Sequence, residues 1–285
     1  MRPNPASTVF NLALGFALAA IAGCASVPDE PQPSPQKQAA ASSPSIPISI
    51  IKPDGDGPFP AVVILHDCSG LGPRSSGSPR RWADILVKQG YVIAIPDSFS
   101  TRGFESGVCT DATSNRVQVA PARRVGDAFE ALAYLRAQPF VDGAHVGVMG
   151  GSHGGATTVL TIGTSRSNGF AAAVALYPGC NPNAPYHAEA PLLILSGELD
   201  DWTPAAPCER LARGATGAPV RIKVYPGARH SFDSPAPMRF IATRRNQNVL
   251  GGRGATTGGD PAAWADAIQE VTRFFAITLK GDAKL

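Results

Sequence analysis

The chain has 285 residues and a formal net charge of +3 at pH 7, with 44% hydrophobic and 16% charged residues. This balance supports a packed core for most of the chain and excludes general disorder. A charge so close to zero gives no basic field that would favour a nucleic-acid partner. No segment reaches the ~20 apolar residues that a membrane-spanning helix requires.

Residues 1–24 have the features of a bacterial export signal. Arg2 provides a positive start, and residues 9–22 form an apolar run that is too short to span a bilayer. The run ends in Ile21-Ala22-Gly23-Cys24, which resembles the lipobox of bacterial lipoproteins. That resemblance implies a diacylated Cys24 and, because no aspartate follows, an outer-membrane anchor facing the periplasm. The alternative is an ordinary secretory peptide cleaved nearby, which would leave the protein periplasmic or secreted.

Residues 25–45 are rich in Pro, Ser, Gln and Ala and contain no aromatic residue. Such a segment buries too little apolar surface to offset its ordering entropy, so we expect a flexible or extended linker. The folded part is therefore predicted to be residues 46–285, a size that suits one α/β domain.

The folded part alternates short apolar runs with helical patterns. The runs are bounded by Gly, Pro and Ser, and most are apolar on both faces, as strands of a parallel sheet are when helices cover both sides. The predicted strands are residues 61–66, 91–96, 145–149, 171–177, 191–196 and 220–225, with a possible edge strand at 46–51.

Apolar residues at helical spacing lie between these strands. Val125, Phe129, Leu132 and Leu135 form such a stripe. The predicted helices are residues 79–89, 121–138, 204–213 and 261–277, with another opening after Ser152. The alternation predicts an α/β fold with an open, doubly wound, mostly parallel sheet. Neither G-x-G-x-x-G nor a P-loop occurs, so the sequence gives no support for nucleotide binding.

The segment Gly150-Gly151-Ser152-His153-Gly154 is a G-x-S-x-G motif between a predicted strand and a predicted helix. In that context the serine stands on a sharp turn with its hydroxyl clear of the sheet. Glycines two residues before and after it are needed because side chains there would collide with neighbouring backbone. Ser152 is therefore the candidate nucleophile.

A serine nucleophile needs a base and a residue that orients the base, in the chain order Ser, acid, His. His230 follows the strand at 220–225 and is the candidate general base. Asp200 follows the strand at 191–196 and is the candidate acid, although Asp201 could take that role if Asp200 caps the next helix. His153 is a weaker candidate base, because it adjoins the nucleophile and is expected to face away.

The remaining polar candidates are expected to be structural. They are His66, His145, His187 and Glu198.

Ester cleavage through a serine also needs N–H donors for the developing oxyanion. The amide of His153, directly after the nucleophile, is one candidate. The second is expected in the Gly-rich loop after the strand at 61–66, where the Cys68 amide is the choice. The alternative is that this loop only turns the chain.

Cysteine usage agrees with export. Without Cys24, four cysteines remain, an even number that suits an oxidising compartment. Three pairings are possible, and free buried thiols are the alternative. No cysteine or histidine spacing resembles a zinc site, so no metal is expected.

From about residue 46 to 280 the chain resembles the dienelactone hydrolase family of α/β-hydrolases. The matching blocks are His66-Asp67-Cys68-Ser69-Gly70, Pro96-Asp97-Ser98-Phe99, the Ser152 turn, and the segments 197–204 and 225–232. The resemblance implies an eight-stranded sheet, no cofactor, Asp200 as the acid, and an esterase or lactonase reaction through an acyl-enzyme. It also favours the disulfides Cys68–Cys109 and Cys180–Cys208.

The chain departs from that family where substrate matters. The family carries a cysteine where Ser152 stands and a glutamate where Asp67 stands, and it holds the substrate carboxylate with arginines. Arg102 lies near the first such arginine, but no arginine closely follows His230. Residues 231–260 form a long insertion that is either a lid or a surface loop. It includes Arg239, Arg244 and Arg245 and a Gly-rich run.

These features predict a serine hydrolase that cleaves a carboxylic ester or lactone. Two alternatives remain open from the sequence: a non-catalytic envelope lipoprotein that uses the scaffold for binding, and a peptidase or acyltransferase with the same three residues.

Overall fold

The computed structural model describes residues 45–111 and 113–282. The predicted export signal with Cys24, and all of the predicted linker except Ser45, lie outside the described residues. None of the helices in these two ranges is long and apolar enough to cross a membrane.

The described residues form a central sheet flanked by helices, with two small sheets beside it. The strands are β1 (Ile48–Ile51), β2 (Phe59–Leu65), β3 (Val92–Pro96), β4 (Val141–Gly151), β5 (Ala172–Leu176), β6 (His187–Ala188), β7 (Leu192–Gly197), β8 (Thr216–Gly217), β9 (Val220–Tyr225), β10 (Arg239–Arg245) and β11 (Arg253–Thr257). The helices are α1 (Ser78–Lys88), α2 (Pro121–Arg136), α3 (His153–Ile162), α4 (Ala205–Gly214) and α5 (Pro261–Lys280). Two short 3₁₀ turns, Ser100–Arg102 and Ser114–Val119, precede α2.

The central sheet has the strand order β1-β3-β2-β4-β5-β7-β9. Every neighbouring pair is parallel except β1 with β3, which is antiparallel at the edge. The predicted doubly wound sheet is confirmed, but it has seven strands in the described part of the chain, whereas the resemblance implied eight.

Both faces of the sheet are buried because successive strand residues point to opposite sides. In β2, Val62 and Ile64 pack in the core under α1 and α5, while Val63 and Leu65 pack in the core under α2, α3 and α4. This two-sided burial is the physical reason why the strands are apolar throughout.

The insertion contains regular structure that the sequence pattern did not predict. β10 and β11 pair as an antiparallel hairpin, with an irregularity in register between Ile241 and Arg245. The side-chain amide of Asn246 donates to the carbonyl of Asp201 at 2.8 Å, and the indole of Trp202 donates to the carbonyl of Arg245 at 2.7 Å. The hairpin is therefore fixed against the loop that follows β7.

Two disulfides join segments that are distant along the chain. They are Cys68–Cys109 and Cys180–Cys208, the pairing that the resemblance favoured. Disulfides form and persist in oxidising compartments, so they indicate an exported protein.

Candidate active site

The turn between β4 and α3 holds Ser152 in a strained conformation. Its φ is 53°, in the left-handed region that non-glycine residues rarely occupy. A Cβ at Gly150 would lie 2.6 Å from the backbone of Gly154, and a Cβ at Gly154 would lie 2.1 Å from the carbonyl of Leu65. Both glycines are therefore required by close backbone contacts, as the motif predicted.

Three polar side chains from three loops meet beside this turn. The hydroxyl of Ser152 donates to Nε2 of His230, with the two atoms 2.9 Å apart. Nδ1 of His230 donates to Oδ2 of Asp200 at 2.8 Å. The imidazole and the carboxylate are almost fully buried, at 1% and 0% side-chain exposure, so water is excluded from the pair. The structure thus brings together the three residues that sequence reasoning selected.

Local hydrogen bonds fix the carboxylate of Asp200. Its Oδ1 accepts from the amides of Trp202 and Thr203 at 2.9 and 2.8 Å, which is an Asx-type turn. The hydroxyl of Thr203 lies 3.0 Å from both Asp200 Oδ2 and His230 Nδ1, and it donates to the carbonyl of Tyr177 at 2.9 Å. Oδ2 is therefore left to accept from the imidazole.

The alternative acid is occupied elsewhere. Asp201 accepts from the amide of Thr256 in β11 at 2.8 Å, and its other oxygen lies 3.5 Å from Nη1 of Arg229. Asp201 thus belongs to the attachment of the hairpin, while Asp200 contacts His230.

The alternative base is also occupied elsewhere. Nδ1 of His153 accepts from Nη1 of the fully buried Arg124 at 2.7 Å. Burial, together with the charge of Arg124, lowers the pKa of His153 well below its ordinary value. The cost of burying a cation lowers the pKa of Arg124 itself to about 10. His153 is therefore a neutral acceptor for Arg124.

His66 lies under the loop that contains Cys68. Its Nε2 accepts from the amide of Ser98 at 3.2 Å, and its Nδ1 donates to the carbonyl of Asp67 at 2.9 Å. Burial is the largest cause that lowers the pKa of His66 well below its ordinary value. This histidine fixes the backbone of two loops.

The other residues expected to be structural lie away from Ser152. Glu198 accepts from the amide of Gly227 at 3.0 Å. Two exposed histidines have local contacts: His145 with Asp142 at 2.7 Å, and His187 with Thr216 at 3.1 Å.

The family resemblance in the sequence places Arg102 near a substrate-binding position. In the structure its guanidinium forms two hydrogen bonds with Asp127 of α2, at 2.6 and 2.7 Å, and a third with the carbonyl of Ser98. Arg102 lines neither of the two cavities that contain Ser152. A buried partner on α2, which sequence spacing does not reveal, holds it away from the site.

The backbone amides of Cys68 and His153 are the two donors that the sequence suggested beside Ser152. Among the described residues, no acceptor receives a hydrogen bond from the amide of Cys68 or of His153. Both residues line one cavity together with Ser152, which we call the oxyanion cavity, of about 360 Å³. The Cys68–Cys109 disulfide and the bond from the Val108 amide to the Cys68 carbonyl (2.7 Å) hold this loop.

Sequence reasoning missed a buried carboxylate beside the site. Asp233 accepts from Ser78 at 2.6 Å, from the indole of Trp82 at 2.9 Å and from the hydroxyl of Tyr177 at 2.7 Å. The Tyr177 ring packs against His230 with centroids 4.8 Å apart. Asp233 thus fixes the segment after His230 against α1 and the residue that follows β5. A carboxylate three residues after the base, beside apolar Phe232, is the only sequence signal.

A second cavity, of about 290 Å³, lies on the other side of Ser152 beneath the hairpin, and we call it the hairpin cavity. His230 lines it, as do the guanidinium-bearing residues Arg74, Arg81, Arg239 and Arg244. Nε of Arg244 is buried without a hydrogen-bond partner in the described residues, and its guanidinium lies 5.3 Å from the centre of the Trp202 ring. Burial lowers the pKa of Arg244. The insertion therefore roofs the site instead of forming a plain surface loop.

Comparison with known proteins agrees with this architecture. The model of the dienelactone hydrolase family matches residues 46–279. A protein of Azospirillum brasilense that bears the name carboxymethylenebutenolidase is 26% identical over 216 residues, which are 64% of this chain and 80% of that protein.

Solved structures share the fold. A Klebsiella pneumoniae structure named as a dienelactone hydrolase superposes with a TM-score of 0.59 at 21% identity, over 81% of this chain and 92% of that chain. An esterase of Thermogutta terrifontis with propionate bound superposes with a TM-score of 0.57 at 16% identity, over 84% and 91%. The fold is that of an α/β-hydrolase.

Proposed function

Because the chain belongs to the dienelactone hydrolase family and is a carboxylic ester hydrolase, we propose that Ser152, His230 and Asp200 are its catalytic triad. The observation that carries the proposal is the unbroken hydrogen-bond chain from the serine hydroxyl through the imidazole to a buried carboxylate. Nucleophile, base and orienting acid are the parts that serine acyl transfer requires.

The first half of the reaction forms an acyl-enzyme. The Ser152 oxygen attacks the ester carbonyl while its proton passes to Nε2 of His230, 2.9 Å away. The resulting oxyanion accepts hydrogen bonds from the amides of Cys68 and His153. The carbonyl carbon–alkoxy oxygen bond then breaks, and the proton on Nε2 moves to the departing oxygen, which leaves as an alcohol.

The second half uses water. A water molecule gives a proton to Nε2 of His230 and attacks the carbonyl of the Ser152 ester through the same oxyanion site. The bond to the serine oxygen breaks, that oxygen recovers the proton, and the carboxylic acid leaves. Asp200 fixes the Nδ1–H tautomer throughout and stabilises the imidazolium that forms twice per cycle.

The preferred substrate class is a carboxylic ester rather than a dienelactone. Arg102 is bound to Asp127, and Ser152 replaces the family's cysteine, so the features that would hold and cleave a dienelactone are altered. A lactone remains compatible with the same chemistry, since ring opening also passes through an acyl-enzyme.

Labelling with a fluorophosphonate probe tests the assignment directly. The phosphonate should attach to Ser152, as peptide mapping will locate, and the Ser152→Ala protein should not be labelled. With p-nitrophenyl acetate as substrate, the protein with Ser152 should hydrolyse the ester and the Ser152→Ala protein should not. Labelling that persists in the variant would refute Ser152 as the nucleophile.

The labelling and esterase assays, extended to peptide substrates and to alcohols as acyl acceptors, separate the alternatives that the sequence left open. A folded protein with neither labelling nor ester turnover would favour a binding lipoprotein. Cleavage of peptides, or acyl transfer to an alcohol in preference to water, would favour a peptidase or an acyltransferase.

We further propose that residues 1–24 direct export, that Cys24 carries the lipid anchor to the outer membrane, and that residues 25–45 link it to the enzyme domain. The lipobox-like Ile21-Ala22-Gly23-Cys24 supports this proposal, and the two disulfides agree with an exported enzyme. Mass spectrometry of the mature N-terminus tests it: a diacylated Cys24 is expected, and any other start contradicts the anchor.

A further inference from the structure

An apolar groove of about 560 Å³ runs along α3, and we call it the α3 groove. Its described lining contains no Asp, Glu, Lys, Arg or His. Val159 and Leu160 of α3 and Leu211 of α4 contribute to it, and Leu160 is 42% exposed. A contiguous apolar surface of this kind is typical of a binding site.

The α3 groove adjoins the oxyanion cavity that contains Ser152. Four residues line both spaces: Pro121, Ala156, Gly179 and Cys180. Ala156 lies one helical turn after the serine, and its amide donates to the Ser152 carbonyl at 2.8 Å. An apolar chain attached to the Ser152 oxygen therefore needs only to pass Ala156 to reach the groove.

The walls of the α3 groove are fixed by specific contacts. The hydroxyl of Tyr186 donates to the carbonyl of Val159 at 2.8 Å, so its polar end is already satisfied. The disulfide with Cys208 ties Cys180 to α4. A Cβ at Gly163 would lie 2.8 Å from the Tyr186 ring, so glycine lets that ring approach α3. A preformed groove spends little binding energy on ordering its own side chains.

The position of His230 determines which part of an ester enters the groove. His230 must return its proton to the departing alcohol oxygen, so the alcohol lies on the side that His230 lines. His230 lines the hairpin cavity but not the oxyanion cavity. The alcohol part therefore faces the hairpin cavity, which is polar because four arginines and the carboxylates Asp67 and Asp233 line it. The acyl part faces the oxyanion cavity, which Arg116 and Arg245 also line, and beyond it the apolar groove.

We propose that the α3 groove is the acyl subsite, and that the preferred esters join an extended apolar acyl chain to a polar alcohol. This inference rests on the proposed function, because it needs an acyl group bound to Ser152. It assigns Ala156 and Leu160 to substrate selection, since the chain passes the first and packs on the second.

Two ester series test the orientation with the full-length protein. One varies the acyl chain of p-nitrophenyl esters from acetate to octanoate, and the other varies the alcohol of acetate esters from methyl to octyl. We expect kcat/KM to rise about two- to fourfold per added acyl methylene until the groove is filled, the scale of burying a methylene group. The alcohol series should show no comparable rise.

Two variants and a matched control locate the effect. Leu160→Glu places a charge in the groove, and Ala156→Phe fills its entrance, so each should remove most of the rise in the octanoate-to-acetate ratio. Ile277→Glu changes an apolar residue of similar exposure (45%) on α5, outside the groove, and should retain the rise. Thermal unfolding of each variant verifies that it is folded.

The outcomes distinguish the two proposals. Ser152-dependent acetate hydrolysis with a flat acyl series, or a rise that survives both groove variants, overturns the acyl subsite and leaves the triad standing. Variants that act on the alcohol series instead overturn the orientation. Absence of both labelling and acetate hydrolysis overturns the proposed function itself.

Discussion

Two regions of the molecule differ in how their residues are held. One is the row of carboxyl ends of the central strands, which we call the edge, and the other is the walls of the cavities. At the edge, Ser152, Asp200 and His230 each lie within a few residues of a strand end, and short turns fix them. The walls come from the segment around Cys109 and from the β10–β11 hairpin, which contact each other where the Arg245 amide donates to the Cys109 carbonyl at 3.1 Å. Changes at the edge should therefore affect every ester equally, and changes in the walls should alter the choice among esters.

The largest effect is expected at the edge, from Asp200→Asn. An asparagine would keep the turn but would favour the wrong imidazole tautomer and would not stabilise the imidazolium. We expect kcat to fall on the order of 10³- to 10⁴-fold, by the same factor for acetate and octanoate esters. Steady-state kinetics on the two esters measure this. The Asp201→Asn variant is the matched control and should lose far less, whereas equal losses from the two variants would contradict the assignment of the acid.

The same contrast explains how much of the molecule the sequence could predict. The meeting of Ser152, Asp200 and His230 was predictable because the position of each depends on a few neighbouring residues at a strand end. Thr203 and Tyr177 were missed because their roles depend on residues that meet only in the fold: the Thr203 hydroxyl donates to the Tyr177 carbonyl, 26 positions away in the chain. Short motifs carry no signal for such contacts.

The walls were less predictable for the same reason. The hairpin segment has no clean alternation of polar and apolar residues, and Asn246 and Trp202 attach it through hydrogen bonds to a distant loop. The family resemblance placed Arg102 near a substrate position, but its bidentate partner Asp127 lies 25 positions further on. The position of the hairpin and that of Arg102 both depend on partners far away in the chain.

A smaller effect is expected from Asp233→Asn, which weakens the hydrogen bonds that hold the segment after His230. The asparagine amide cannot accept from Ser78, Trp82 and Tyr177 as the carboxylate does, so the segment after His230 should shift. A displacement of the base costs about 10- to 100-fold in kcat. KM and the octanoate-to-acetate ratio should stay nearly constant, as for Asp200→Asn. A change confined to KM would assign Asp233 to the walls instead.

Acidification should destabilise the loops beside the active site because burial keeps His66 neutral. The pKa of His66 is lowered in the native state, so below its ordinary value near 6.5 the unfolded chain binds a proton that the native chain does not. The free energy of unfolding should fall by up to about 1.4 kcal/mol per pH unit for this group, about tenfold in the unfolding constant. Urea unfolding between pH 7.5 and 5 should show a weaker pH dependence for His66→Asn than for the unchanged protein. If the free energy of unfolding changed equally with pH in the two proteins, His66 would not be the group that causes the change.

The smallest effect is expected in the walls, from Arg244→Gln. Arg244 lies at the hairpin cavity, and its Nε has no hydrogen-bond partner in the described part of the chain, so it can attract an anionic group on the departing alcohol. Because the side chain is partly exposed, its loss should lower kcat/KM only about two- to fivefold, and only for acetate esters whose alcohol carries a carboxylate. The neutral methyl ester should be unaffected, and added salt should reduce the difference.

Arg253→Gln changes an arginine of the same hairpin that does not line the cavity, and it should leave kcat/KM for both esters unchanged. An equal loss on the neutral and the anionic ester would show that Arg244 supports the edge through Trp202, and the division between edge and walls would then fail at this residue.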